Sequence, residues 1–272
     1  MSPHATRAAF YLDTPRGRRF CVTDTPTGEI RGALLFIPPF AEELNKSRRM
    51  TSLAARAFAA SGWVVLRPDL GGCGDSEGDF GAADWRGWVA DVDDAWNWLA
   101  LHAPDGRRVL WTLRAGSLLA AAWLRWREAR PDMLLWQPVF DGERHLQQFL
   151  RLELARQMLA EGEVAAAAAT LRARLDAGET VEIAGYALNA RLTRGLQEAT
   201  FELPPTCGGR VDLFELGPEA TPSPALISRR DALCAAGVRA ECHRVEGPAF
   251  WQTAEIELAT QLLEKSLAAL AD

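Results

Sequence analysis

Arg107-Arg108-Val109-Leu110-Trp111-Thr112-Leu113-Arg114-Ala115-Gly116-Ser117-Leu118-Leu119-Ala120-Ala121-Ala122-Trp123 decides how this chain is read. Val109 to Leu113 is an apolar run of strand length, and Ala115 to Trp123 has helical composition with no breaker after Gly116. The strand therefore turns straight into a helix. Small residues, Thr112 and Gly116, flank the corner, and Arg114 stands at its tip.

The same alternation runs outward from this corner. Phe10 to Leu12 and Arg19 to Thr23 read as a hairpin around Pro15-Arg16-Gly17. Gly32 to Pro38 and Trp63 to Pro68 are continuous apolar runs, expected of strands buried on both faces. Between them lie a charged loop, Pro39 to Arg49, and a helix, Met50 to Ser61, that stops at Gly62. Asp69 to Gly78 is a glycine-rich loop, followed by a helix over Trp85 to His102. Beyond the corner come a strand from Met133 to Val139 and then two successive helices, His145 to Glu161 and Val164 to Ala177. A strand-like Val181 to Ala184 and a helix from Ala190 to Ala199 complete an interruption of the alternation. Alternation then resumes with strands Val211 to Leu216 and Ala240 to Val245, a helix Ala225 to Ala236, and a last helix from about Thr253 to Ala271. The pattern predicts a mostly parallel, doubly wound α/β sheet. The core is expected over residues 1–140 and 201–272, with a helical cap inserted at 141–200.

Composition narrows the function. At 272 residues, 48% of them hydrophobic, the chain suits one large domain with a substantial core. A net charge of −6 argues against nucleic acid as a partner. Lys46 and Lys265 are the only lysines, so arginine carries nearly all the positive charge. The five cysteines (Cys21, Cys73, Cys207, Cys234, Cys242) contain no Cys-x-x-Cys pair, which points away from a zinc site or disulfide framework and towards a reducing compartment. Neither a signal region nor a membrane span is expected, and the expected location is cytoplasmic. No cofactor or metal is expected.

A strand-to-helix corner with small flanking residues is the nucleophile elbow of the α/β-hydrolases, which normally reads Gly-x-Ser-x-Gly. Three stretches together carry a closer resemblance: Pro38-Pro39-Phe40-Ala41-Glu42-Glu43-Leu44-Asn45-Lys46-Ser47-Arg48-Arg49, Asp69-Leu70-Gly71-Gly72-Cys73-Gly74-Asp75-Ser76, and Leu113-Arg114-Ala115-Gly116. With Gly247 to Thr253 they resemble the exosortase A system-associated hydrolase 2 family over nearly the whole chain. The resemblance implies a bacterial cytoplasmic protein linked to exopolysaccharide production and protein sorting. It implies a hydrolase by fold, and a fold does not fix an activity.

The residues complicate that expectation. Guanidinium is no nucleophile, so Arg114 cannot replace the elbow serine. The catalytic histidine is expected after the last strand, where Gly247-Pro248-Ala249-Phe250-Trp251 stands instead. His4 and His102 read as surface residues, His243 as a strand residue and His145 as the start of the insertion. Glu219 stands where the orienting acid belongs, with no histidine to orient. Ser117, one helical turn past Arg114, is a displaced nucleophile or an ordinary helix residue. Cys73 is a thiol nucleophile or a small loop residue. Glu43 or Glu42 could act as general base on water.

Two readings therefore stand. One is a hydrolase or acyl transferase acting on an ester, thioester or amide with altered machinery. The other is a pseudo-hydrolase that binds an anionic ligand or a protein partner. In the second, Arg114, the amides of Ala115 and Phe40 and the helix N-terminus form an electropositive site, with Glu42, Asn45, Asp75 and Trp251 around it. The alternative for Arg114 is a buried structural pair with Glu42, Glu43 or Asp75.

Overall fold

The computed structural model describes residues 5–103, 106–155, 161–204 and 209–271; His4 and Cys207 lie outside the described residues. Apolar runs form the strands. β1 (Ala5–Thr14) and β2 (Gly17–Pro26) make an antiparallel hairpin longer than the sequence predicts. β3 (Gly32–Ile37), β4 (Trp63–Pro68), β5 (Arg107–Leu113), β6 (Asp132–Trp136), β9 (Arg210–Leu216) and β10 (Arg239–Val245) follow. The sheet order is β1-β2-β4-β3-β5-β6-β9-β10, and β4 to β10 pair in parallel. This is the α/β-hydrolase fold expected from the sequence.

Period-two alternation distributes the strands' side chains between two cores. Leu34, Phe36, Trp63, Trp111 and Trp136 pack on one face against α1 (Glu42–Ala60) and α8 (Thr260–Ala271). Leu35, Ile37, Leu66, Leu110 and Leu135 pack on the other, against α2 (Trp85–His102), α3 (Gly116–Trp126) and α7 (Pro224–Ala235). None of the described helices is long and apolar enough to cross a membrane.

Helix α1 corrects the sequence reading. The stretch read as a charged loop over Pro39 to Arg49 is helical from Glu42. Leu44, Ser47, Met50, Thr51, Ala54 and Phe58 are buried at helical spacing, and the charges between them occupy the outer face. Glu42 and Glu43 sit in the first turn, where the helix dipole favours negative charge. At the other end of the chain, α8 begins at Thr260, seven residues after the expected Thr253.

Between β6 and β9 come α4 (Gly142–Ala155), α5 (Glu161–Asp176), β7 (Val181–Ile183), β8 (Tyr186–Leu188) and α6 (Ala190–Glu198). The sequence reading missed β8. Its turn uses Ala184 and Gly185, both at positive φ (52° and 80°), as a two-residue hairpin requires. Asp141 and Thr200 form an antiparallel bridge, and the Phe201 amide donates to the Phe140 carbonyl at 3.0 Å. The segment thus leaves and rejoins the core at one clasp.

Candidate functional site

Strand β3 pairs with β4 on one side and β5 on the other, so the chain switches direction across β3. In open α/β sheets such a switch point opens a crevice at the strands' carboxyl ends. Here the β3–α1 and β5–α3 corners face each other across it. Both are strained. Ala41 has φ 50° and ψ −126°, and Arg114 has φ 51°. A non-glycine residue in this region costs on the order of 1–3 kcal/mol and persists where the surroundings over-determine it.

Gly116 shows what over-determines the β5 corner. A Cβ there would lie 2.4 Å from the Ile37 carbonyl oxygen, so only glycine lets the corner press against β3. The Arg114 amide donates to the Trp136 carbonyl at 3.0 Å, fixing the corner to β6 as well. The backbone of a nucleophile elbow is therefore in place, with arginine at its tip.

The guanidinium has two partners. Its Nε donates to Glu43 Oε1 at 3.0 Å, and its carbon lies 5.4 Å from the Trp251 ring centroid. Both members of the ion pair are only 16% exposed. Of the three carboxylates weighed from sequence, Glu43 is the one that pairs. Glu42 instead accepts from Tyr186 Oη at 3.1 Å, and Asn45 donates to the same hydroxyl at 2.8 Å. Burial and the Glu42 charge raise the Tyr186 phenol above its usual range, so it stays a donor. Asn45 is exposed, and its bonds lead to β8 rather than to the elbow. Asp75 is exposed and off the site; its amide caps Asp69, which pairs with Arg48 at 3.3 Å.

Ser117 does not reach the cleft. It is fully buried, its hydroxyl lies 2.9 Å from the Arg114 carbonyl and 2.7 Å from the Val139 carbonyl, and it accepts the Val139 amide at 3.0 Å. These bonds tie the elbow helix to the end of β6, which is a structural use. Cys73 likewise stays a thiol: burial, then the Asp69 charge, push it up to about 12.

His145 does reach the site. It is 4% exposed, and neither ring nitrogen has a hydrogen-bond partner among the described residues. Burial, reinforced by the positive Arg114, lowers it to about 3, so the ring is neutral at pH 7. A signal was available. His145, Gln148, Phe149 and Leu152 recur at helical spacing, and together they make the α4 wall of the site.

His243 lies elsewhere, with Nε2 2.7 Å from Asp212 Oδ1 and its ring stacked on Phe214. Asp212, Glu241 and His243 could supply three metal-ligand atoms, but Arg210 already pairs with both carboxylates. Glu219 is exposed; the contact it makes is through its carbonyl, to Arg244.

Little space remains at the elbow. Phe40 is buried against Phe149 at 5.3 Å and Trp251 is 4% exposed. The cavity between Glu43, Arg114, His145 and Trp251 measures about 30 Å³. A water needs roughly 10–15 Å³, so about two fit. The polar atoms around it are nevertheless under-used. Trp251 Nε1 has no partner among the described residues, and the backbone amides of Phe40 and Ala115, at the two facing corners outside the cavity lining, find no acceptor among them either. Buried donors of this kind usually find a partner.

Residues 28–180, more than half of the chain, match the family described as serine aminopeptidase, S33. Solved structures resemble the fold at low identity. A thermostable carboxyl esterase from Bacillus coagulans, in complex with glycerol, is 13% identical with a TM-score of 0.63 over 98% of both chains. Est1E from Butyrivibrio proteoclasticus with bound ferulic acid is 13% identical, TM-score 0.67, over 97% of this chain and 98% of that one. The thioesterase domain from the curacin biosynthetic pathway is 14% identical, TM-score 0.52, over 98% of both. No curated protein sequence matches.

Proposed function

We propose that this chain, which belongs to the serine aminopeptidase S33 family of α/β-hydrolases, uses its elbow to hold an anionic group rather than to attack an ester. The observation that carries the reading is Arg114 at the elbow tip, beside the amides of two buried residues that find no acceptor among the described residues. A carboxylate or phosphate entering there would take one oxygen to the Phe40 and Ala115 amides and exchange with Glu43 on the guanidinium. Neutral His145 and Trp251 would supply the remaining donors. Because the cavity holds only about two waters, the ligand has to displace Glu43 or the α4 wall. Residues 141–200 then act as a lid, opening at α4. The exosortase and exopolysaccharide setting, with a cytoplasmic location, belongs to the same proposal. It is supported by the Pro38–Arg49 and Leu113–Gly116 stretches.

The second reading is a hydrolase or acyl transferase in which Glu43 activates water. It is favoured by the similarity of the fold to an esterase and a thioesterase, and weakened by the engagement of Glu43 with Arg114.

One experiment separates the two. Intact mass after fluorophosphonate treatment is expected to show no adduct, and thermal shift is expected to rise with acetate in the wild type but not in Arg114→Met. A serine adduct, or ester turnover abolished by Glu43→Gln, would establish the second reading instead.

A further inference from the structure

Far from the elbow, α6, the first turn of α2 and the last turn of α3 enclose an open groove of about 620 Å³. That lies within the roughly 300–1,000 Å³ of small-molecule sites. Arg191, Arg194 and Glu198 line it from one stripe of α6, at i, i+3 and i+7. Arg86 and Asp84 come from the start of α2, and Arg125 from the end of α3. Trp85 forms the floor, packed so closely on α6 that a Cβ at Gly195 would lie 2.2 Å from the Trp85 Cβ.

The charges in this groove are unspent. Elsewhere Arg7, Arg16, Arg19, Arg67 and Arg127 each hold a carboxylate. Arg86, Arg191 and Arg194 hold none among the described residues, although Asp84 and Glu198 share their groove. Asp84 is occupied as the α2 cap, accepting the Gly87 amide at 2.8 Å. Arg125 reaches only Thr200, at 3.4 Å to the hydroxyl. Four arginines against two carboxylates leave a balance of +2.

We infer that this groove is a second anion site, made for a phosphate monoester or diphosphate. Such a group carries a charge of about −1.5 to −2 per terminal phosphate at neutral pH, matching the local excess. Its tetrahedral oxygens accept several guanidinium forks at once, where a single carboxylate accepts one. Trp85 offers an indole to cover an organic group attached to the phosphate. The inference is independent of the elbow, because the two cavities share no wall residue.

Inorganic pyrophosphate is the probe, titrated calorimetrically into the full chain at low and at 0.3 M salt. Saturable binding is expected, weaker in salt, and reduced at least about tenfold in Arg191→Ala/Arg194→Ala. The titration is repeated in Arg114→Met, which removes the elbow site: saturable binding is expected to remain there and to be lost when Arg191→Ala/Arg194→Ala is added. The inference is overturned if no saturation occurs or if the double variant binds equally well. It is also overturned if Arg114→Met abolishes binding, which would return the ligand to the elbow. Citrate binding as tightly as pyrophosphate would overturn the phosphate assignment.

Discussion

At the β3–β5 crevice one arginine is paired, stacked and enclosed; on the α2–α6 flank three exposed arginines hold no carboxylate among the described residues. The first place is where an α/β-hydrolase keeps its reacting atoms, and here it is nearly filled. The second has the volume and charge for a ligand and none of the fold's usual chemistry. The contrast shows that positive charge by itself says little. Arg114 is part of how the crevice is packed, whereas Arg191 and Arg194 are exposed and hold no carboxylate among the described residues.

The largest expected effect tests how tightly the crevice is sealed. Unfolded histidine binds a proton below about pH 6.5, while folded His145 stays neutral down to about 3. The unfolded chain therefore gains protons first as pH falls. The stability contributed by neutral burial is full above pH 6.5 and is lost at about 1.4 kcal/mol per unit below it. Between pH 7 and pH 4.5, urea midpoints should show the wild type losing roughly 3 kcal/mol more than His145→Leu. Equal losses would mean that water or a partner reaches the ring and that the crevice is open.

Next in size is the pair itself. Arg114→Met leaves the partly exposed Glu43 unpaired beside a buried apolar wall and should cost about 2 kcal/mol, below the full penalty for a deeply buried pair. Glu43→Gln should cost less than the arginine change. The double variant should be more stable than the sum of the singles predicts, by about 1 kcal/mol. Additive costs would show that the two side chains do not support each other, leaving Arg114 as free as the flank arginines.

The smallest effect is expected on the flank. Arg191→Ala should change stability by less than about 0.5 kcal/mol without ligand, as surface substitutions usually do. A loss comparable to that of Arg114→Met would erase the distinction between the two regions.

Much of the fold was legible because burial writes a period into the strands. Gly32 to Ile37 and Val109 to Leu113 can be little else, and the Leu113-Arg114-Ala115-Gly116 corner announces a strand-to-helix turn. The start of α1 was not legible, since a stretch carrying Glu42, Glu43, Asn45, Lys46, Arg48 and Arg49 looks like a loop until Leu44 and Ser47 are seen to be buried. The same error put Asn45 on the elbow, whereas the helical turn carries it round to Tyr186 on β8, a strand of three residues too short to show a pattern. Asp75 follows Asp69 in a tight turn, and only the turn's course reveals that it faces outwards. His145 required knowing that α4 folds back over the elbow. Sequence spacing fixes which face of α4 is shared, but not what that face meets.

The clasp at Asp141 and Thr200 has a consequence for how such a chain can change over time. A segment whose two ends meet at adjacent backbone atoms can change length without moving the strands on either side of it, because Phe140 and Phe201 are held to each other and not spaced by what lies between. Some sixty residues can then be lengthened, replaced or lost as one piece, at the modest entropic cost of a longer or shorter loop. The sheet and the segment between Asp141 and Thr200 are therefore free to diverge at different rates.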